Sequence, residues 1–202
     1  SKRDRTAARL SQTAFELFEK HGYDAVTMEQ IAAVGDVSKV TLYKYFPIKE
    51  ALLAHRFREE IASGMKSFGE KVDGKAPFAI RMQQLLSASA AWNESRRVLM
   101  PHYLKFRFSK AGSAPQFRSG VYAIVEQLFR QAQSNEEIRQ DIPATELAWM
   151  FEMLCFGAVV AWLNDERRSL KRRFQSVLDV TLNGISIQET PRKPRTAGRR
   201  RK

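Results

Sequence analysis

An all-helical fold is predicted, with a small three-helix unit at the N-terminus and a larger helical bundle after it. Three observations carry that prediction. Apolar residues recur at three- and four-residue spacing through most of the 202 residues. Prolines and glycines punctuate those periodic segments, notably at Gly22, Pro47, Pro77, Pro101, Pro115, Pro143 and Gly184. No segment shows the sustained apolar–polar alternation of a half-buried strand.

The elements follow in order. Leu10, Ala14, Leu17, Phe18 and His21 share one face of a first helix, which His21-Gly22 ends. Thr27-Met28-Glu29-Gln30 is a capping box: the threonine oxygen accepts from a first-turn amide, and the glutamine reaches back to the threonine amide. The short helix it opens runs to Ala33 and buries Met28, Ile31 and Ala32. Val34-Gly35-Asp36 makes a tight turn, and Ser38 caps a second short helix to about Tyr45. Pro47 closes that helix. A long one follows, with Ala54, Phe57, Ile61, Met65 and Phe68 on one face, and residues 69–75, with two glycines, read as a loop.

Pro77, suited to a first helical turn, opens a helix carrying Phe78, Met82, Leu85, Ser89 and Trp92. Another begins near Pro101 and presents His102, Tyr103, Phe106 and Phe108. Residues 110–114 read as a loop, and Pro115 starts a helix with Phe117, Val121, Ile124, Val125 and Leu128. Pro143 to Leu163 is apolar nearly all round, whereas Leu170 to Leu182 carries its apolar residues on one stripe and stops at Gly184. The segment from Gln188 has no apolar residues to pack and is expected to be disordered.

A net charge of +12 and a pI near 10.1 point to a polyanionic partner. The excess is unevenly spread. From Ser186 to Lys202 there are seven basic residues and one acidic one, whereas the first fifty residues hold eight and seven, so net charge alone does not locate a binding surface. Cys155, the one cysteine, has no partner for an internal disulfide and lies in an apolar run, as befits a reducing cytoplasm. The most apolar stretch is interrupted by Glu146 and Glu152, and no export signal opens the chain, so neither membrane insertion nor secretion is expected.

His21, His55 and His102 are far apart and have neither thiol nor carboxylate company, so no metal site is expected. No nucleophile–base set, paired acids or glycine-rich phosphate loop stands out, so neither catalysis nor a cofactor is expected.

Two short helices joined by a tight turn are the core of a helix-turn-helix, whose second helix enters the major groove of DNA. The run Thr27-Met28-Glu29-Gln30-Ile31-Ala32, then Val37-Ser38-Lys39-Val40-Thr41-Leu42-Tyr43-Lys44-Tyr45-Phe46, then Lys49-Glu50-Ala51-Leu52-Leu53 closely resembles the tetracycline-repressor (TetR) family. So does Ala14-Phe15-Glu16-Leu17-Phe18-Glu19-Lys20-His21-Gly22-Tyr23 before it. Weaker likenesses follow at Ile138-Arg139-Gln140-Asp141-Ile142-Pro143 and at Asp165-Glu166-Arg167-Arg168-Ser169-Leu170.

The resemblance implies a DNA-binding unit over residues 1–47, a ligand-binding and dimerisation unit over 48–187 and a basic tail over 188–202. It places Thr27 and Ser38 as caps facing phosphates, and Lys39, Val40, Thr41 and Tyr45 at base edges. Tyr43, Lys44 and Lys49 would clamp the DNA backbone, while Leu42 and Phe46 pack inward. Lysine can donate to guanine, and valine or threonine methyls can touch that of thymine. Two positions depart from the family pattern. Asp36 stands where glycine is usual, and Ile48 replaces a small polar cap before Lys49.

The family also encloses an effector in its second unit. A surplus of large apolar residues there (Met82, Trp92, Tyr103, Phe106, Phe117, Tyr122, Met150 and Phe151) is the expected pocket lining, with His102, Tyr103, Gln83 and Asn93 as polar anchors. The two closing helices expose more apolar surface than one neighbour covers: Trp149, Phe156, Val159, Val160, Trp162, Phe174, Val177, Leu178 and Leu182 are the expected seam of a homodimer. The function expected is a transcriptional regulator, most simply a repressor, released from a palindromic DNA operator by a small apolar or aromatic effector. The rival is a ligand-independent helical protein with architectural DNA contacts, acting through protein partners.

Overall fold

A computed structural model describes residues 1–109, 120–165 and 167–184. Among them the regular structure is helical throughout: α1 (Lys2–His21), α2 (Met28–Val34), α3 (Lys39–Tyr45), α4 (Lys49–Lys71), α5 (Phe78–Ser95), α6 (Met100–Ser109), α7 (Tyr122–Ser134), α8 (Ala144–Asn164) and α9 (Leu170–Asn183).

In the N-terminal unit α1 lies along α4, and α2 packs on both α1 and α3. Leu10, Ala14, Phe18, Ile31 and Leu42 close its core. Gly35 is required by a close approach: a Cβ there would lie 2.9 Å from both the Ile31 carbonyl oxygen and Leu10 Cδ2. Asp36 takes φ 49°, the left-handed conformation that a short polar side chain tolerates. The capping box forms as expected, with the Gln30 amide donating to Thr27 Oγ1 at 3.2 Å and the Thr27 amide to Gln30 Oε1 at 2.8 Å. Ser38 Oγ accepts from the Thr41 amide at 3.1 Å. Ile48 supplies α4 with no side-chain cap.

In the larger unit α5 packs on α9, α7 on α8, and α8 on α9, while α4 reaches across to α6. A buried cation ties α5 to the turn before α8. Arg81, 1% exposed, donates to Gln131 Oε1 at 2.6 Å and to Glu137 Oε1 at 3.0 Å. Glu137 also accepts from the Phe78 amide at the start of α5. One continuous apolar cluster runs from Leu10 to Leu178.

One boundary differs from that expected, and the starts of two other helices add to the reading. The first helix extends back to Lys2, beyond the Leu10 stripe, because its opening lysine, arginines and alanines are good helix formers. Residues 69–71 continue α4 instead of starting a loop; Gly69 meets nothing and costs about 1 kcal/mol, too little to stop a long helix. The helix expected from Pro115 is helical from Tyr122 among the described residues, and its predicted start lies outside them, as does the segment from Gln188. By length and composition α8 could cross a membrane, the interrupting glutamates notwithstanding.

Candidate DNA-reading surface and ligand cavity

Helix α3, the second of the two short helices, is built from its ends inward. Ser38 fixes the first turn of α3, and its hydroxyl also lies 2.8 Å from Thr41 Oγ1. Leu42 is fully buried and sets the rotation of the helix, so that Lys39, Val40, Tyr43 and Lys44 face solvent while Thr41 and Tyr45 are half-buried. Val40 is 66% exposed, an apolar side chain that no core claims. Lys39 forms an ion pair with Glu29 of α2 and lies 6.0 Å from the Tyr43 ring. The lysine's hydrogen bond is the main influence holding the Glu29 carboxyl below its ordinary range. Arg3 reaches the Tyr45 ring at 6.0 Å, so α1 flanks the end of α3, a neighbour that sequence spacing could not reveal.

Lys49 differs from expectation. Its ammonium donates to the carbonyls of Tyr23 at 2.7 Å and Val26 at 2.9 Å, and lies 4.2 Å from the Tyr23 ring centre. It pins the segment before α2 instead of presenting its charge to a phosphate. Without a polar cap at Ile48, the first turn of α4 is held through this lysine's contacts.

The second feature is a cavity of about 200 Å³ between α4, α5, α6, α7, α8 and α9. Trp92, Tyr103, Tyr122 and Phe151 line it as expected. The other expected lining residues do not. Met82 is buried in the core, Phe106 points elsewhere within it, and Met150 is 48% exposed on the outer face of α8. His102 stacks on Tyr23 in the N-terminal unit. Phe117 lies outside the described residues. Of the polar anchors, Asn93 and Tyr103 reach the wall, whereas Gln83 faces solvent.

Sequence reasoning missed the charged part of the wall. Glu60 accepts from Trp92 Nε1 at 3.0 Å and from Arg96 at 3.2 and 3.3 Å, and pairs with Arg56 at 3.2 Å. Arg107 of α6 meets Glu152 of α8 at 3.4 Å. Cys155 also touches the cavity; burial first and the Glu152 charge second push its thiol up to about 12, leaving it an inert lining group.

The closing helices divide the expected seam. Val159, Trp162, Phe174 and Leu178 are buried within the chain, and Phe156, Val159 and Phe174 line the cavity. Trp162 is covered by the Arg97 guanidinium 4.4 Å from its ring. Val160 and Val177 are half-buried, while Trp149 and Leu182 are exposed. The outward stripe of α8 is instead Trp149, Met150, Met153 and Leu154, continued by Gly157 and Ala161 at helical spacing.

Residues 10–55 match the profile of "Bacterial regulatory proteins, tetR family". The match covers all of α2 and α3 and the facing parts of α1 and α4. Those residues carry the DNA-binding unit of the TetR family. The chain is 29% identical over 187 residues to the HTH-type transcriptional repressor KstR of Rhodococcus jostii strain RHA1, covering 92% of the chain and 84% of that relative. Its fold is that of the TetR-family repressor FadR of Thermus thermophilus, solved with lauroyl-CoA: TM-score 0.78, 20% identity, 92% and 97% of the two chains. FadR of Bacillus subtilis, solved with stearoyl-CoA, gives a TM-score of 0.64 at 20% identity over 88% and 98%. The protein is a DNA-binding transcriptional regulator, and these relatives are regulators rather than enzymes.

Proposed function

We propose that the protein is a homodimeric repressor that holds a palindromic operator until an apolar molecule occupies the cavity. The observation that carries the reading is the double role of α6: Tyr103 and Arg107 face the cavity while the neighbouring His102 rests on Tyr23 of the DNA-binding unit. Residues 1–47 form the DNA-reading unit and residues 48–187 the sensing and pairing unit, joined mechanically because α4 belongs to the packing of both. On DNA, Lys39, Val40, Thr41 and Tyr45 meet base edges, while Thr27, Ser38, Tyr43 and Lys44 meet phosphates. Lys49 is left out of that set because its donors are engaged with carbonyls.

Two-fold pairing is supported by the outward stripe of α8. Left in water, Trp149, Met150, Met153 and Leu154 form an apolar patch of the kind that marks an interface, and Val180 of α9 is exposed as well. Pairing places two α3 helices to read half-sites one duplex turn, roughly 34–36 Å, apart. A ligand that favours another separation shifts the equilibrium only by its differential affinity for the two states.

The apolar wall and the acyl-CoA complexes of the FadR neighbours both support a chain-like apolar effector over a ligand-independent protein. The test is to titrate fatty acyl-CoA of graded chain length into the protein bound to its selected operator. Release at saturating ligand is the expected result. Retention with every chain length, together with absence of binding, favours the ligand-independent rival.

A further inference from the structure

The cavity is closed by buried or half-buried side chains almost all round, and the exceptions lie together. Among the described residues that line it, Gly64 of α4 and Ala88 of α5 are exposed, whereas the others are not. A residue that faces both the cavity and water marks where the two meet.

Gly64 and Ala88 stand across from each other. The connection between α4 and α5 is short, residues 72–77, and Glu60 of α4 reaches far along α5, so the two helices run antiparallel. Glu60 sets their register: it accepts from Trp92 Nε1 at 3.0 Å and from Arg96 at 3.2 and 3.3 Å. One helical turn from Glu60 towards the connection is Gly64, and one turn from Trp92 in the same direction is Ala88. Helix packing does not close the space between them, because α4 lies on α1 and α6 while α5 lies on α7 and α9. Nor does a neighbour require the glycine, since a Cβ at Gly64 would meet nothing within 4 Å. Glycine is a poor helix former, so what it contributes to the middle of α4 is the room it leaves.

The interior behind these two positions is apolar, with Ile61, Leu85, Tyr122, Val125 and Phe151 on its wall. An apolar chain placed there escapes water, whereas a polar head that followed it would lose its hydration.

Resting on the effector-binding role proposed above, we infer that the gap between Gly64 and Ala88 is the mouth of the cavity, and that the ligand is an amphiphile whose apolar chain passes this mouth while its polar head stays in water. Selection then acts on the chain and on the neck that joins it to the head, and the head is free to be large. A ligand short enough to be enclosed needs the mouth only to enter. A ligand with a large head keeps the mouth occupied for as long as it is bound.

That difference gives the experiment, which is calorimetric titration of the full chain with 1-octanol, the enclosed probe, and with lauroyl-CoA, the headed probe. The same titrations follow on Gly64→Phe and Ala88→Phe, each of which puts a ring into the gap. The wild type is expected to bind both probes. In each variant the affinity for lauroyl-CoA should fall at least about tenfold, while that for 1-octanol stays within about threefold. Gly64→Phe should melt no lower than the wild type, because α4 loses a glycine at a position without neighbours.

Unchanged lauroyl-CoA affinity in both variants places the mouth elsewhere and overturns the inference, while the effector role stands. An equal loss for the two probes means that the rings fill the interior, and overturns it too. Wild-type binding of 1-octanol without lauroyl-CoA removes the headed ligand and keeps an apolar effector. Binding of neither probe removes the mouth together with the apolar-effector reading. Two variants on opposite sides of the gap guard against one of them failing to fold.

Discussion

The His102 imidazole is stacked on the Tyr23 ring, with centroids 3.8 Å apart and planes inclined by 23°. This contact joins the two units. Tyr23 also meets Phe18 of α1 at 4.8 Å and the Lys49 ammonium at 4.2 Å. Lys49 in turn holds the carbonyl of Val26, the residue before the cap of α2. On the proposed function, a shift of α6 under a ligand at Tyr103 would pass through these contacts to the helix that supports α3.

His102→Ala should therefore uncouple sensing from DNA binding. Operator affinity without effector should stay within about threefold, while the loss of affinity caused by effector shrinks by about tenfold, within the usual range of coupling energies. DNA-binding titrations with and without ligand check this. An unchanged effector response removes this route.

The exposed face of α3 should separate reading from holding. Lys39→Ala and Thr41→Ala should each reduce discrimination between operator and scrambled duplex by about 1–3 kcal/mol. Tyr43→Ala should weaken both duplexes alike. Competition binding at fixed salt measures the ratio. Equal loss on both duplexes for Lys39→Ala would show that this lysine only neutralises phosphate.

What could be read in advance followed the range of the interaction. The capping box at Thr27, the Ser38 cap, the left-handed Asp36 and the uncapped start at Ile48 are set by residues within three or four positions, and each was legible. Side-chain direction on α8 was not, because Ala144–Asn164 is apolar on nearly every face and has little periodicity to orient it. Trp162 was thus expected outside but lies inside, while Met150 was expected inside and lies outside. Pairs such as Glu60 with Arg96 and His102 with Tyr23 join distant segments. Only packing reveals them. The likeness to a known family located the DNA-reading helix but could not show that Lys49 turns inward.

The buried Arg81 should make stability depend on one carboxylate. The Phe78 amide, followed by Asn135 and Arg81, holds the Glu137 carboxyl below its ordinary range. Its stabilisation is therefore present at neutral pH and is lost as pH falls through that lowered value, beneath the usual glutamate pKa of about 4.3. Glu137→Gln leaves the Arg81 charge without its carboxylate partner and should cost about 3 kcal/mol at neutral pH. Denaturant titrations at neutral and acidic pH should show the difference between wild type and variant shrinking in acid. A pH-independent difference would mean that the carboxylate charge is not what matters.

The outward stripe of α8 should behave as a seam. Met153→Glu should give a monomer in sedimentation velocity at micromolar concentration, with helical content retained. Operator affinity should fall at least about a hundredfold, because one α3 loses its tethered partner. A Met153→Glu dimer would place the interface elsewhere, and a monomeric wild type would remove it.

The most direct test is a footprint of the wild-type protein on genomic fragments that it selects, with the number of protomers per site counted. One protected palindrome is predicted, its half-sites about one duplex turn apart and occupied by an even number of protomers, with protection lost in the Lys39→Ala, Thr41→Ala double variant. Uniform, strongly salt-dependent coverage of any duplex, unchanged by that double variant, would contradict the account.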